Sequence, residues 1–131
     1  DGVGGGICQI TTTLYNAVLY ANLDIVQRTN HQFIPSYSTA SRDATVVYGA
    51  IDFQFKNNRE YPIKIYCSVS GGVAKCNIFG VKTANDYEVQ LTSRITNTTS
   101  NAIYSEAYKI LKKNGTVVST TLLSKDKYLR H

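Results

Sequence analysis

Three consecutive glycines, Gly4, Gly5 and Gly6, run into Ile7 and Cys8, and a helical repeat begins directly after them. This junction constrains the fold more than any other stretch. Ile10, Leu14, Ala17, Val18 and Ala21 recur at three- and four-residue spacing, which is one face of an α-helix. Thr11, Thr12 and Thr13 offer hydroxyls able to cap exposed amides. The pattern predicts a helix over 10–22, with Asn22 as its stop. Cys8 is then expected at or just before the first turn. The partial positive charge of a helix start favours thiolate over thiol, a common way to activate a cysteine nucleophile. The competing expectation is a cysteine that only fills the core.

The 131 residues suffice for one domain with its own core, and a 43% hydrophobic content excludes a disordered chain. The net charge is +5, but the basic residues are scattered apart from Lys112-Lys113 and Lys125, Lys127 and Arg130. No basic helix or RNA-binding aromatic pattern occurs, so nucleic acid is not the expected partner. An anionic cell wall or membrane surface suits the charge as well. No run of about 18 apolar residues could span a membrane. The chain opens at Asp1 without methionine and reads as a fragment, so a membrane anchor is expected only in a segment outside it.

Downstream, Leu23 to Val26 reads as the start of a strand, followed by a polar stretch holding His31. Pro35 to Arg42 is rich in Ser, Thr and Pro and predicts an exposed loop. From Ala44 the pattern turns to β. Ile51, Phe53 and Phe55 alternate with Asp52, Gln54 and Lys56, and Tyr61 to Cys67 is expected as the returning strand. Gly71-Gly72 signals a tight hairpin into a strand over 73–79. Counting outward from that turn sets Cys67 opposite Cys76, close enough for a disulfide, the alternative being two reduced neighbours. A disulfide would imply an oxidising compartment and leave Cys8 as the odd thiol.

Residues 83–131 read as a β extension of the same domain. A strand is expected at 87–91, a Ser/Thr/Asn-rich loop over 92–101 and strands over 103–111 and 117–123. The last two are joined by Asn114-Gly115, the strongest hairpin signal in the chain.

Several motifs within residues 1–82 resemble a known family. Gly4-Gly5-Gly6-Ile7-Cys8-Gln9 with Thr12 to Ala17, Arg42-Asp43-Ala44-Thr45-Val46, Asp52 to Asn58 and Tyr61-Pro62-Ile63 together look like the signature of the VanW-like family. The resemblance implies a Gram-positive envelope setting, outside the cell and often membrane-anchored, and a link by name to vancomycin resistance. It implies no reaction. Cys67 and Cys76 are not part of the family pattern.

Acyl transfer through cysteine needs a nucleophile, a base and a group that orients the base. Cys8, His31 and Asp43 supply these in chain order, with Asp52 as a second candidate acid. A cysteine on a helix followed by histidine and acid is similar to the order in transglutaminase-like and papain-like hydrolases. Gln9 or amides at the helix start would stabilise an oxyanion. Gly4, Gly5, Gly6 and Arg42 complete the expected binding set, with peptidoglycan or its precursors as the partner. The rival function is a non-catalytic wall-binding module whose tyrosines, Tyr15, Tyr37 and Tyr48, supply contact surface. No cofactor is expected, since Ile7 stands where a dinucleotide fingerprint needs glycine. No metal is expected either, because the cysteines and histidines lack ligand spacing. The expected fold is α+β, one main N-terminal helix packed on an antiparallel sheet, with a C-terminal β-hairpin extension.

Overall fold

The computed structural model describes residues 2–131, with side-chain surroundings from 6 onward. It is an α+β arrangement in which β-structure dominates. Helix α1 spans Gly2–Tyr20. Seven strands follow: β1 (Asp24–Gln27), β2 (Gln54–Lys56), β3 (Lys64–Ser70), β4 (Val73–Phe79), β5 (Glu88–Thr98), β6 (Ala102–Lys113) and β7 (Thr116–Leu129).

The helix begins eight residues earlier than expected, so Cys8 lies inside α1 and not at its head. Glycine is compatible with helical dihedrals and costs only about 1 kcal/mol relative to alanine. The glycine run therefore weakens this helix without excluding it. The far end closes as predicted. Asn22 adopts a left-handed φ of 57°. Its amide reaches the Leu19 carbonyl at 3.0 Å, and the Leu23 amide reaches the Val18 carbonyl at 3.2 Å. This pair of bonds is the Schellman closure, and Leu23 is buried behind it.

No single sheet carries the helix. Among the described residues the strands form three antiparallel sheets, β1-β2, β3-β4 and β5-β6-β7. The predicted hairpin of 51–56 with 61–67 does not form, because β2 pairs with β1 and β3 pairs with β4. The β3-β4 register sets Cys67 opposite Cys76 with Cα atoms 4.1 Å apart, and the two sulfurs are bonded. Gly71 and Gly72, with φ of 59° and 77°, make the tight turn between these strands. Asn114 and Gly115, at 52° and 80°, make the corresponding turn between β6 and β7.

The expected loop over 92–101 is mostly strand. β5 continues to Thr98, and only residues 99–101 connect it to β6. Threonine and isoleucine suit a pleated ladder even when the segment is polar, and β6 gives β5 a full partner. Similarly, β7 runs on to Leu129.

The core forms where α1 meets the segment before β2. Tyr15, Leu19 and Ala44 are its centre, with Ile25, Phe53, Leu91 and Leu123 packed against it. Tyr15 and Phe53 meet edge to face at 5.7 Å. The C-terminal strands share in this core through Leu91 and Leu123, and Tyr128 of β7 is fully buried.

Candidate functional site

The site is built where α1 runs beside residues 42–46. Three helix residues four apart grip three alternate groups of residues on the extended segment. Asn16 donates to the Arg42 carbonyl at 2.8 Å and accepts from Arg42 Nε at 2.7 Å. The Thr12 hydroxyl donates to the Ala44 carbonyl at 3.0 Å and accepts the Ala44 amide at 3.1 Å. Cys8 Sγ lies 3.7 Å from the Val46 carbonyl and 3.4 Å from Thr45 Oγ1. The match is geometric. Four helical residues rise about 6 Å and two extended residues about 6.6 Å. Residues 42, 44 and 46 thus face the helix through their backbone, and Asp43 projects away from it.

Asp43 is 0% exposed and serves as a hub. Its Oδ2 accepts the His31 backbone amide at 2.8 Å and meets His31 Nδ1 at 2.7 Å. Its Oδ1 accepts the Tyr128 hydroxyl at 2.5 Å and lies 3.6 Å from Arg28 Nη2. Arg28 also donates from Nε to the Asp43 carbonyl and from Nη1 to Asp126, both at 2.8 Å. Burial raises the Tyr128 pKa well above its ordinary value, and the Asp43 carboxylate adds to the rise. Ser41, two residues before Asp43, is buried with a left-handed φ of 66°. Its amide donates to the Tyr128 oxygen at 2.8 Å, and its hydroxyl meets Ser105 at 2.6 Å. Such a conformation in a non-glycine residue costs free energy and persists only where its surroundings hold it.

The Asp43 contact fixes the imidazole. In the neutral ring, a carboxylate at Nδ1 places the proton there and leaves Nε2 as the acceptor. Nε2 lies 3.1 Å from the Tyr37 hydroxyl, which therefore donates to it. Tyr37 in turn is near Cys8 and Thr12. Its pKa is raised, first by partial burial and then by the neighbouring Cys8. Asp43, His31 and Tyr37 are thus joined by hydrogen bonds, and Cys8, whose sulfur contacts Thr45 and Val46, lies in the vicinity of Tyr37. Cys8 is a free, half-buried thiol.

Not every expected site residue joins this group. The helix-start rationale for Cys8 fails, since the dipole effect fades within the first turn and Cys8 lies beyond it. For the same reason the amides around Cys8 are spent on the helix ladder and are not open to an oxyanion. Gln9 sends its side-chain amide to the Gly72 carbonyl at 3.1 Å, tying α1 to the β3-β4 turn. Arg42 is held by Asn16 and lies over the Tyr20 ring at 5.8 Å. Asp52 is exposed and bonds locally to Phe53 and Gln54. Gly4 and Gly5 belong to α1, and their surroundings lie outside the described residues. Among the described residues a Cβ at Gly6 would meet nothing within 4 Å, but two residues along a helix point about 200° apart, so this open side is not the Cys8 side.

The expected loop over 35–42 is exposed only in part, because Ala40 and Ser41 are buried where the segment turns in to present Asp43. Sequence reasoning missed Tyr128, Arg28 and Asp126 altogether and read Tyr37 only as contact surface. Tyr128 is 85 residues from Asp43, and no local pattern encodes that contact. Tyr15, expected as contact surface, is 2% exposed and belongs to the core. Among the described residues there is no group of three or more acidic, His or Cys side chains arranged for a metal. No described helix is long and apolar enough to cross a membrane.

Fold and site together define a small α+β domain in which the buried Asp43 holds a half-buried His31 against the Tyr37 hydroxyl, with the free thiol of Cys8 in the vicinity. Residues 1–79 match the family model described as "VanW like protein", and the chain belongs to the VanW-like family. It is also similar to the uncharacterized protein YoaR of Bacillus subtilis (strain 168), 50% identical over 72 residues. That alignment covers 55% of this chain and 24% of the relative, so the chain spans about a quarter of that protein. No solved structure matches.

Proposed function

We propose that this domain is a cysteine-dependent acyl-transfer or hydrolytic unit acting on peptide bonds of the peptidoglycan type. Cys8 is the nucleophile, His31 the base and Asp43 the group that orients the base. The observation that carries this reading is the 2.7 Å contact of His31 Nδ1 with the buried Asp43 carboxylate, which leaves Nε2 facing Tyr37 beside Cys8. A histidine needed only for packing gains nothing from a fully buried acid partner and a positioned hydroxyl at its other nitrogen.

In the proposed reaction the Cys8 thiol proton, directed at the Val46 carbonyl at rest, is taken up by His31 Nε2, with Tyr37, hydrogen-bonded to that nitrogen, turning to the sulfur as the relay. Cys8 sulfur then bonds to the acyl carbon. The departing amine takes a proton from His31, and a thioester remains on Cys8. Water or a second amine attacks that thioester, returning the thiol. The fold reading that accompanies this is a remote transglutaminase-like or papain-like arrangement, supported by the order of helix-borne cysteine, histidine and acid. An envelope location outside the cell is part of the same proposal, favoured by the family name and by the Cys67–Cys76 disulfide.

The rival wall-binding module loses two of its three contact tyrosines, because Tyr15 is in the core and Tyr37 is engaged by His31, while Tyr48 is fully exposed. The test is to incubate the protein with muropeptides and stem peptides and to seek a thioester on Cys8 by mass spectrometry after acid quench. Acylation of the parent protein but not of Cys8→Ser supports the reading. Release of peptide products by both proteins alike defeats it.

A further inference from the structure

A second site lies at the opposite end of α1 from Cys8. A cleft of about 480 Å³ opens between the helix C-terminus, the loop 58–63 and the segment 80–87. We infer that this cleft binds a neutral saccharide. Its volume falls within the range usual for small-ligand sites. Three tyrosines line it, Tyr20, Tyr61 and Tyr87, exposed by 52%, 44% and 39%. Three part-exposed aromatic rings on one concavity provide flat apolar faces with polar tips. A pyranose ring has the matching form, with an apolar C–H face and a polar rim.

The electrostatics select among ligands. The charges on the lining itself balance, Arg59 and Lys82 against Glu60 and Asp86, and the two cations beside it are engaged elsewhere, Arg42 by Asn16 and Lys113 by the Ala84 carbonyl. Arg59 is already paired with Asp86 at 2.8 Å and bonded to the Val81 carbonyl at 2.6 Å. The helix contributes its C-terminal end, whose partial negative charge disfavours phosphate and carboxylate ligands. Among the described residues, the Schellman closure uses the Val18 and Leu19 carbonyls, and Asn58 bonds the Asn22 carbonyl at 3.3 Å. Tyr20 and Ala21 keep carbonyls for hydroxyl donors, as the last turn of a helix does. A cationic ligand is disfavoured too. Arg42 lies over one face of Tyr20 at 5.8 Å and Lys113 over one face of Tyr87 at 5.4 Å, which repels a second cation and leaves the Tyr61 ring and the other faces of Tyr20 and Tyr87 for stacking. What remains is a neutral ligand rich in hydroxyls and with apolar faces.

This site is independent of the chemistry at Cys8. An NMR titration of the isotope-labelled protein with cellotetraose, chitotetraose and a neutral tetrapeptide tests it. The expected result is saturable shifts around Tyr20, Tyr61 and Tyr87 with at least one saccharide at concentrations up to about 10 mM. Tyr61→Ala, whose side chain is exposed, is expected to weaken that binding about tenfold. Cys8→Ser is expected to bind as the parent does, so loss of the catalytic reading leaves this one standing. If Tyr61→Ala fails to give a folded spectrum, Tyr61→Ser and Tyr87→Ala are read in the same way. Absence of saturable shifts with both saccharides overturns the proposal. So do shifts located elsewhere, stronger binding of the peptide in the cleft, or a folded tyrosine variant with unchanged affinity.

Discussion

The Nδ1 atom of His31 lies 2.7 Å from Oδ2 of Asp43, and the same carboxylate oxygen also accepts the His31 backbone amide at 2.8 Å. The residue is therefore clamped at two points, ring and main chain, by one buried acid. Ring orientation and tautomer both follow from that contact. A third partner, Tyr128, comes from the far end of the chain and holds the other carboxylate oxygen.

Replacing the hub tests its structural weight. Asp43→Asn removes a buried charge paired with His31 and Arg28 and is expected to cost about 3 kcal/mol of stability. Urea unfolding of the two proteins measures this. A loss under about 1 kcal/mol would show that the hub is not a structural centre.

Tyr128 predicts an alkaline limb in stability. Its folded pKa is raised above the ordinary value of 10.0, chiefly by burial. Its contribution is complete below about pH 10 and is lost as pH rises from there toward the folded pKa, because the unfolded chain releases the proton first. Tyr128→Phe is expected to be less stable at neutral pH and to lose stability less steeply above pH 10. Thermal melts across that range check the slope, and identical slopes for both proteins would contradict the assignment.

The end of α1 gives a local prediction. Asn22 has φ of 57°, so Asn22→Ala is expected to destabilise by about 1 kcal/mol, whereas Asn22→Gly is expected to be neutral or slightly stabilising. Denaturant midpoints for the pair decide it. Equal effects would mean that the left-handed turn is not the stabilising feature.

The disulfide predicts a labelling pattern. Without reductant, iodoacetamide should modify one cysteine, Cys8, since Cys67 and Cys76 are bonded to each other. The Cys67→Ser, Cys76→Ser double variant is expected to lose about 2 kcal/mol of stability and to keep Cys8 labelling unchanged. Peptide mapping by mass spectrometry resolves the sites, and label at Cys67 in the native protein would contradict the pairing.

Local signals carried well where partners are close in sequence. The Gly71-Gly72 turn set the register of Cys67 against Cys76, and Asn114-Gly115 gave the β6-β7 hairpin. Asn22 stopped the helix as expected. Legibility failed where a choice depends on distant chain. Phe55 pairs with Ile25 and not with the strand that follows it, because burial of Phe53 on Tyr15 holds β2 against the helix side. The glycine run read as a break, although glycine merely lowers helix stability. The candidate site divides in the same way. Cys8, His31 and Asp43 were visible as residue types in a suggestive order. Tyr128, Arg28 and Asp126, which fix Asp43 in place, were not, because their contacts span 15 to 98 residues and leave no periodic trace. The four-residue step that lets Cys8, Thr12 and Asn16 grip residues 42–46 was present in the sequence, but it becomes a signal only once the extended segment is known to run alongside.

The central claim is that Cys8 is coupled through Tyr37 to His31. The direct measurement is the rate of iodoacetamide alkylation of Cys8 at about pH 6.5 in the parent, His31→Ala and Tyr37→Phe. The account predicts that each substitution slows the reaction about tenfold or more while the folded spectrum is kept. Equal rates in all three proteins would contradict it and leave Cys8 an ordinary packing thiol.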